Sequence, residues 1–188
     1  MWTVPNLLTL ARIVAVVPLV ICIAQGWSVA AFAVFIVASL TDFFDGWIAR
    51  RWNLQSEFGR FLDPLADKLI VAGALIALVP FDAVNGPVLY CALAIISREI
   101  AVAGLREFLG PKGIVVHVSR VAKWKTATQM VAVAAILWAS VLEQPNPGEG
   151  RGVLSATLGL ALLMLSAVLA WVSAWGYLRA ALPVMQRP

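Results

Sequence analysis

Four aspartates, Asp42, Asp45, Asp63 and Asp67, fall within 26 residues of one another in a chain otherwise rich in apolar side chains. Carboxylates in so apolar a setting are costly unless they are turned inward, paired with a cation or bound to metal. Asp42 and Asp45 are three residues apart, Asp63 and Asp67 four apart, so on helices each pair projects from one face. The polar segment 51–58 between them supplies a turn. An antiparallel hairpin through that turn sets the two pairs facing each other. Asp63 followed by Pro64 reads as a helix start, a capping acid with proline in the first turn. Oxygen ligands in this number, with no His or Cys beside them, suit Mg²⁺ or Mn²⁺ rather than zinc. Two such ions about 3.5–4 Å apart polarise a phosphoryl oxygen and stabilise both the attacking and the leaving oxygen of an in-line displacement. Gly46 lies four residues beyond Asp42 on nearly the same face, where the missing side chain lets a ligand approach the backbone. Ala49 and Gly59 keep the adjoining surfaces small, a pattern that tight helix packing also produces.

The elements that must position these residues are set by lipid. The chain has 188 residues, 62% of them hydrophobic and 13% charged, more apolar side chain than a soluble domain of this size can hide. A bilayer-spanning helix needs roughly 20 mostly apolar residues, and six stretches meet that need, at 5–25, 28–50, 62–80, 86–108, 119–142 and 153–178. None shows the period-two alternation of a transmembrane barrel. The expected fold is therefore all-α, a polytopic membrane protein of about six transmembrane helices, organised as one domain over 1–188 with no internal repeat. The first stretch lacks a basic segment before its apolar core and carries Arg12 inside it, so it reads as a retained helix rather than a signal peptide.

Of the 14 Lys and Arg residues, only Arg151 falls in a loop on the side opposite the rest. Cytoplasmic loops collect basic residues, which places both termini and the acidic segment on the cytoplasmic side. The net charge of +4 is interleaved with membrane spans and does not form a nucleic-acid-binding face; anionic lipid or an anionic substrate is the expected partner. Cys22 and Cys91 both lie within spans and read as small packed hydrophobes. The eight tryptophans mostly sit near span ends, where indoles favour the headgroup layer.

Arg98, Arg106, Lys123 and Lys125 gather near the cytoplasmic ends of the fourth and fifth spans. Orientation alone places basic residues there. As a group they also suit an acceptor that carries its own phosphate, since arginine offers a planar fork to phosphate oxygens. Lys123 and Lys125 are two apart on a helix, about 200° around it, so only one is expected to face such a pocket. Glu99 and Glu107 each follow an arginine and read as local charge balance.

The pattern Asp42-x-x-Asp45-Gly46-x-x-Ala49-Arg50, eight residues, Gly59-x-x-x-Asp63-x-x-x-Asp67 resembles, without departure, the signature of the CDP-alcohol phosphatidyltransferase family. Residues 5–9 (PNLLT), Arg98–Glu99, Leu105–Arg106–Glu107 and Lys123-x-Lys125–Thr126 are similar to its bacterial phosphatidylglycerophosphate synthase branch. The resemblance thins after about residue 140. It implies an enzyme of a bacterial inner membrane that moves a phosphatidyl group from CDP-diacylglycerol to glycerol 3-phosphate, working as a homodimer with its site facing the cytoplasm. It implies that Asp42, Asp45, Asp63 and Asp67 hold the metals and that Asp67 is also the base. It further implies that Gly46, Arg50 and Ser56, with the segment from Asn6 to Thr9, hold the CDP part of the donor. Ala49 and Gly59 belong to the same CDP-diacylglycerol-binding set. Other acceptors, among them inositol phosphate, serine and phosphatidylglycerol, are compatible with the same chemistry. A cation transporter with midplane aspartates is the reading from another class, disfavoured by the missing repeat and the cytoplasmic placement of the acids.

Overall fold

Each of the six apolar stretches is a helix in the computed structural model, which describes residues 4–51, 57–81, 86–114, 120–145 and 147–186. The helices are α1 (Val4–Ala24), α2 (Ser28–Arg51), α3 (Glu57–Leu78), α4 (Pro87–Leu109), α5 (Arg120–Glu143) and α6 (Val153–Met185). Short 3₁₀ turns follow α3 and α4, and there is no strand among the described residues. Among the described residues four segments are long and apolar enough to cross a membrane: Asn6–Ala24, Pro87–Lys112, Trp124–Glu143 and Val153–Met185. The apolar part of α2, Ser28–Asp42, is shorter, and α3 carries Asp63, Asp67 and Lys68 before its last ten residues.

Residue placement is inverted relative to a soluble protein. Val14, Val17, Val37, Ile76, Ile100, Leu154 and Val168 are exposed, whereas Asn6, Thr9, Arg12, Arg98, Lys125 and Gln129 are buried. In lipid that is the favourable arrangement, because apolar side chains lose nothing facing hydrocarbon and polar ones must find partners inside. The core is built from Leu19, Phe35, Ile70, Leu75, Ile95, Val133, Leu137 and Leu163 with small residues between them. The α5–α6 hairpin is the closest helix pair, α1 packs against both α2 and α3, and α4 packs against α6.

One expectation is corrected. Helix α3 does not start at Asp63; it begins at Glu57 and runs through Pro64. Proline inside a spanning helix is tolerated because neighbouring helices can re-satisfy the backbone it disturbs, and Asp63 turns its carboxylate to a neighbour instead of capping a terminus. The turn expected at 51–58 to pair α2 with α3 lies largely outside the described residues, and Asp42 of α2 and Asp67 of α3 meet at Arg12 of α1. Their main shared neighbour is α1, which lies against both.

Small residues set the distance between α5 and α6. A Cβ at Gly159 would lie 2.7 Å from Ile136 Cγ1 and 3.0 Å from both the Ala132 carbonyl oxygen and the Ile136 backbone nitrogen. Backbone atoms cannot swing aside, so Gly159→Ala must part the helices and should cost about 1–3 kcal/mol. A Cβ at Gly176, on the same helix, meets nothing within 4 Å, and there Gly→Ala should be neutral or stabilising through helix propensity. Thermal unfolding of the two variants in detergent checks this: Tm should fall by several degrees for Gly159→Ala only. Beyond the α5 end of the hairpin, Glu143 Oε1 accepts from the Gly148 and Gly150 amides (2.8 and 3.3 Å) and Oε2 from Gly152 (3.2 Å), tying the connection to α6 back onto α5.

Candidate active site

Helix α1 carries Asn6, Thr9 and Arg12 three residues apart, so all three share one face. Their exposures are 3%, 0% and 2%. A guanidinium buried this deeply needs opposite charge beside it, and two helices supply it. Arg12 Nη1 donates to Asp42 Oδ1 of α2 at 2.7 Å and to Asp67 Oδ1 of α3 at 2.9 Å. One turn earlier, Thr9 Oγ1 donates to Asp63 Oδ1 at 2.8 Å. A polar stripe on α1 thus gathers the acids of the two flanking helices. The sequence reading counted Arg12 only toward topology. Its spacing from Thr9 and Asn6 on an otherwise apolar helix was the signal for its place in the site.

Asp42 and Asp67 therefore converge on a single cationic nitrogen, while their side chains stay about one-third exposed and Asp63 is exposed. Such a set has the chemistry to hold a hard divalent ion: carboxylate oxygens, partly open, already sharing one positive centre. Among the described residues no three acidic, His or Cys side chains stand together closely enough to hold a metal by themselves. Asp45 is on α2 one turn beyond Asp42, and its side chain lies outside the described residues, as do those of Ala49 and Arg50. Gly46 continues the same helix. Gly59 is buried one turn before Asp63. Ser56 lies outside the described residues altogether.

Between α3, α4 and α5 a cavity of about 440 Å³ opens beside this cluster. Among the described residues its α5 wall is formed by Lys125, Thr126 and Gln129, while α3 contributes Asp67 and Lys68 and α4 contributes Glu99 among apolar residues. Glu99 is the electrostatic centre of this region. Its carboxylate takes a short hydrogen bond from Lys125 Nζ, a bond of 2.8 Å from Arg98 Nη1, and lies 3.8 Å from Lys68 Nζ. By sequence Glu99 reads as local charge balance and Lys68 counts only toward orientation; Glu99 does balance charge, but for three helices at once.

Arg98 and Arg106, expected at an acceptor phosphate, have partners on α6 in the structure. Arg98 is buried against α6, where Nε donates to the Ala170 carbonyl at 2.9 Å and Nη2 to Ser173 Oγ at 2.7 Å. Arg106 donates from Nε and Nη2 to the Tyr177 hydroxyl at 3.2 and 2.7 Å, its guanidinium 5.2 Å from that ring. Neither lines the cavity. Both arginines pack the α4–α6 seam, whose polar groups are otherwise unsatisfied in lipid. Of the two lysines, Lys125 faces the cavity; the side chain of Lys123, in the first turn of α5, lies outside the described residues.

An acidic cluster held across three helices, beside a cavity that carries Lys68, Lys125, Asp67 and Glu99, lies within a multi-pass, all-helical membrane protein. Residues 2–172 match the CDP-alcohol phosphatidyltransferase family, and the chain belongs to that family. Proteins named CDP-diacylglycerol–glycerol-3-phosphate 3-phosphatidyltransferase are similar over most of its length. The one from Cereibacter sphaeroides is 36% identical, covering 98% of both chains. The one from Shigella flexneri serotype 5b is 40% identical over 96% of this chain and 95% of its own. That of Bacillus subtilis is 43% identical over 73% of this chain and 77% of its own.

Proposed function

We propose that this chain transfers a phosphatidyl group from CDP-diacylglycerol to glycerol 3-phosphate, releasing CMP and forming phosphatidylglycerophosphate. The observation that carries this reading is the position of Asp67, which both joins the Arg12-bridged carboxylates and lines the cavity holding Lys68 and Lys125. A group at the junction of an acidic cluster and a cavity that carries two lysines is placed to serve a phosphorylated acceptor and an activated phosphoryl donor together. The names of the relatives point to the same pair of substrates.

In this reading Asp42, Asp45, Asp63 and Asp67 hold Mg²⁺ or Mn²⁺, two ions by the number of carboxylates. Such ions, when bound, offset negative charge on the diphosphate and on the phosphoryl oxygens. Asn6, Thr9, Gly46, Ala49, Arg50, Ser56 and Gly59 form the CDP-diacylglycerol side. Lys125 and Lys68 meet the acceptor phosphate, with Glu99 holding both ammonium groups in place. Asp67 takes the proton from the primary hydroxyl of glycerol 3-phosphate as that oxygen bonds to the lipid-linked phosphorus, and the bond from phosphorus to the CMP oxygen breaks, CMP leaving with the electron pair. The site faces the cytoplasmic side of a bacterial inner membrane, the side the basic residues favour, and the protein works as a homodimer.

Purified protein given CDP-diacylglycerol, a divalent metal and a panel of acceptors tests the reading. CMP release should require both metal and acceptor, and the lipid product with glycerol 3-phosphate should have the mass of phosphatidylglycerophosphate. Preferential product formation with inositol phosphate, serine or phosphatidylglycerol would replace the acceptor but keep the chemistry. Absence of CMP release with every acceptor would remove the transferase reading.

A further inference from the structure

Gln129 stands on α5 one helical turn beyond Lys125, on the same face. It is 3% exposed, and its Nε2 has no hydrogen-bond partner among the described residues. A buried amide donor left unpaired is a cost that folding alone gives no reason to carry; a methionine would fill the same volume without it. The side chain lines the cavity between α3, α4 and α5, together with Lys125, Lys68 and Asp67. At about 440 Å³ that space is within the usual range for a small-molecule site. The unpaired N–H therefore calls for an oxygen acceptor on the ligand.

The neighbouring groups narrow which oxygen it is. With a phosphate at Lys68 and Lys125, one helical turn, about 6 Å, separates that end of the ligand from Gln129 along α5. This is the reach of a short polyol chain. Its primary hydroxyl has to approach Asp67, which leaves the secondary hydroxyl for the amide. We infer that Gln129 is the specificity-determining residue of the acceptor site, donating from Nε2 to the secondary hydroxyl oxygen of a three-carbon polyol phosphate. The inference rests on the transferase reading above and adds to it a reason for choosing one phosphorylated alcohol over another. A site that reserves a buried donor for a hydroxyl discriminates strongly against the analogue that lacks it, because the donor is then stranded.

Two acceptors separate the outcomes: glycerol 3-phosphate, and 3-hydroxypropyl phosphate, which has the same phosphate and primary hydroxyl but no secondary one. The parent protein should prefer glycerol 3-phosphate by roughly ten- to a hundredfold in kcat/KM. In Gln129→Met that preference should collapse to near unity, through loss of activity with glycerol 3-phosphate and little change with the analogue. The KM for CDP-diacylglycerol should stay unchanged. Because the substitution removes an unpaired buried donor, the variant should also unfold at the same temperature as the parent or higher. Gln129→Asn, which keeps the amide but shortens its reach, should retain part of the preference. Equal losses with both acceptors in Gln129→Met would show that the amide serves packing and would overturn the inference. A Met variant that cannot be obtained folded would overturn it in the same way. Failure of the parent to use either acceptor would remove glycerol 3-phosphate as the acceptor, and this inference with it.

Discussion

Asp67→Asn should lower kcat by roughly 10²–10⁴-fold, the usual contribution of a positioned general base, while the protein remains folded and still binds CDP. The substitution is nearly isosteric. Its remaining oxygen can still accept the hydrogen bond that Arg12 Nη1 now gives Asp67 at 2.9 Å, so the contact between α1 and α3 is preserved. What disappears is the negative charge and the ability to take a proton from the acceptor hydroxyl. Asp63→Asn provides the comparison, because Asp63 receives its hydrogen bond from Thr9 and does not line the cavity. Its loss should act through weaker metal and donor binding and be eased by raising the metal concentration. For Asp67→Asn, added metal should not restore kcat. Single-turnover kinetics with saturating CDP-diacylglycerol would measure both, and near-parental turnover in Asp67→Asn would end its assignment as the base.

The acidic site was legible because residue type and spacing carry most of its meaning. Four carboxylates in a chain this apolar cannot be neutral to the fold, and spacings of three and four residues put each pair on one helical face. The all-helical fold was equally legible from apolar runs, four of which are long and apolar enough among the described residues to cross a membrane. What stayed hidden depended on which helix lies beside which. Pattern alone paired α2 with α3 through their short connection, whereas the structure sets α1 against both, and so Arg12 became a partner of two carboxylates. Pro64 looked like a helix start because proline is well suited to a first turn; packing carried α3 through it. Arg98 and Arg106 were read as phosphate ligands from their charge and their end of the helix. The partners that engage them, Ala170, Ser173 and Tyr177, lie more than seventy residues later in the chain. Gln129 gave no sequence signal at all. A single amide in a spanning helix becomes informative only when its nitrogen is seen to be buried without a partner on a cavity wall.

Arg12→Met should produce the largest change in stability, and its size should depend on divalent metal. The parent guanidinium is fully buried and neutralises Asp42 and Asp67 at once. Removing one member of a buried ion pair typically costs about 3–5 kcal/mol. Here the two carboxylates remain about one-third exposed, so water can take up part of their charge, and the low end of that range is expected. For a chain of this length, about 3 kcal/mol corresponds to a fall in Tm of roughly 6–12 °C, measured in detergent with chelator present. Magnesium or manganese should then restore more of the loss than either gives the parent, because a divalent ion can occupy the position between the two carboxylates that Arg12 Nη1 holds in the structure. Ligand linkage makes this quantitative: the metal-induced rise in Tm should be larger and should begin at lower metal concentration in Arg12→Met. The double variant Arg12→Met with Asp67→Asn supplies the control. With the uncompensated charge reduced, it should be more stable in chelator than Arg12→Met alone, a non-additivity expected only of residues in direct contact. If Arg12→Met were no less stable than the parent in chelator, or if metal raised both by the same amount, the bridge from α1 to Asp42 and Asp67 would not be what holds the acidic cluster together, and the cationic position between those carboxylates would lose its claim as a metal site.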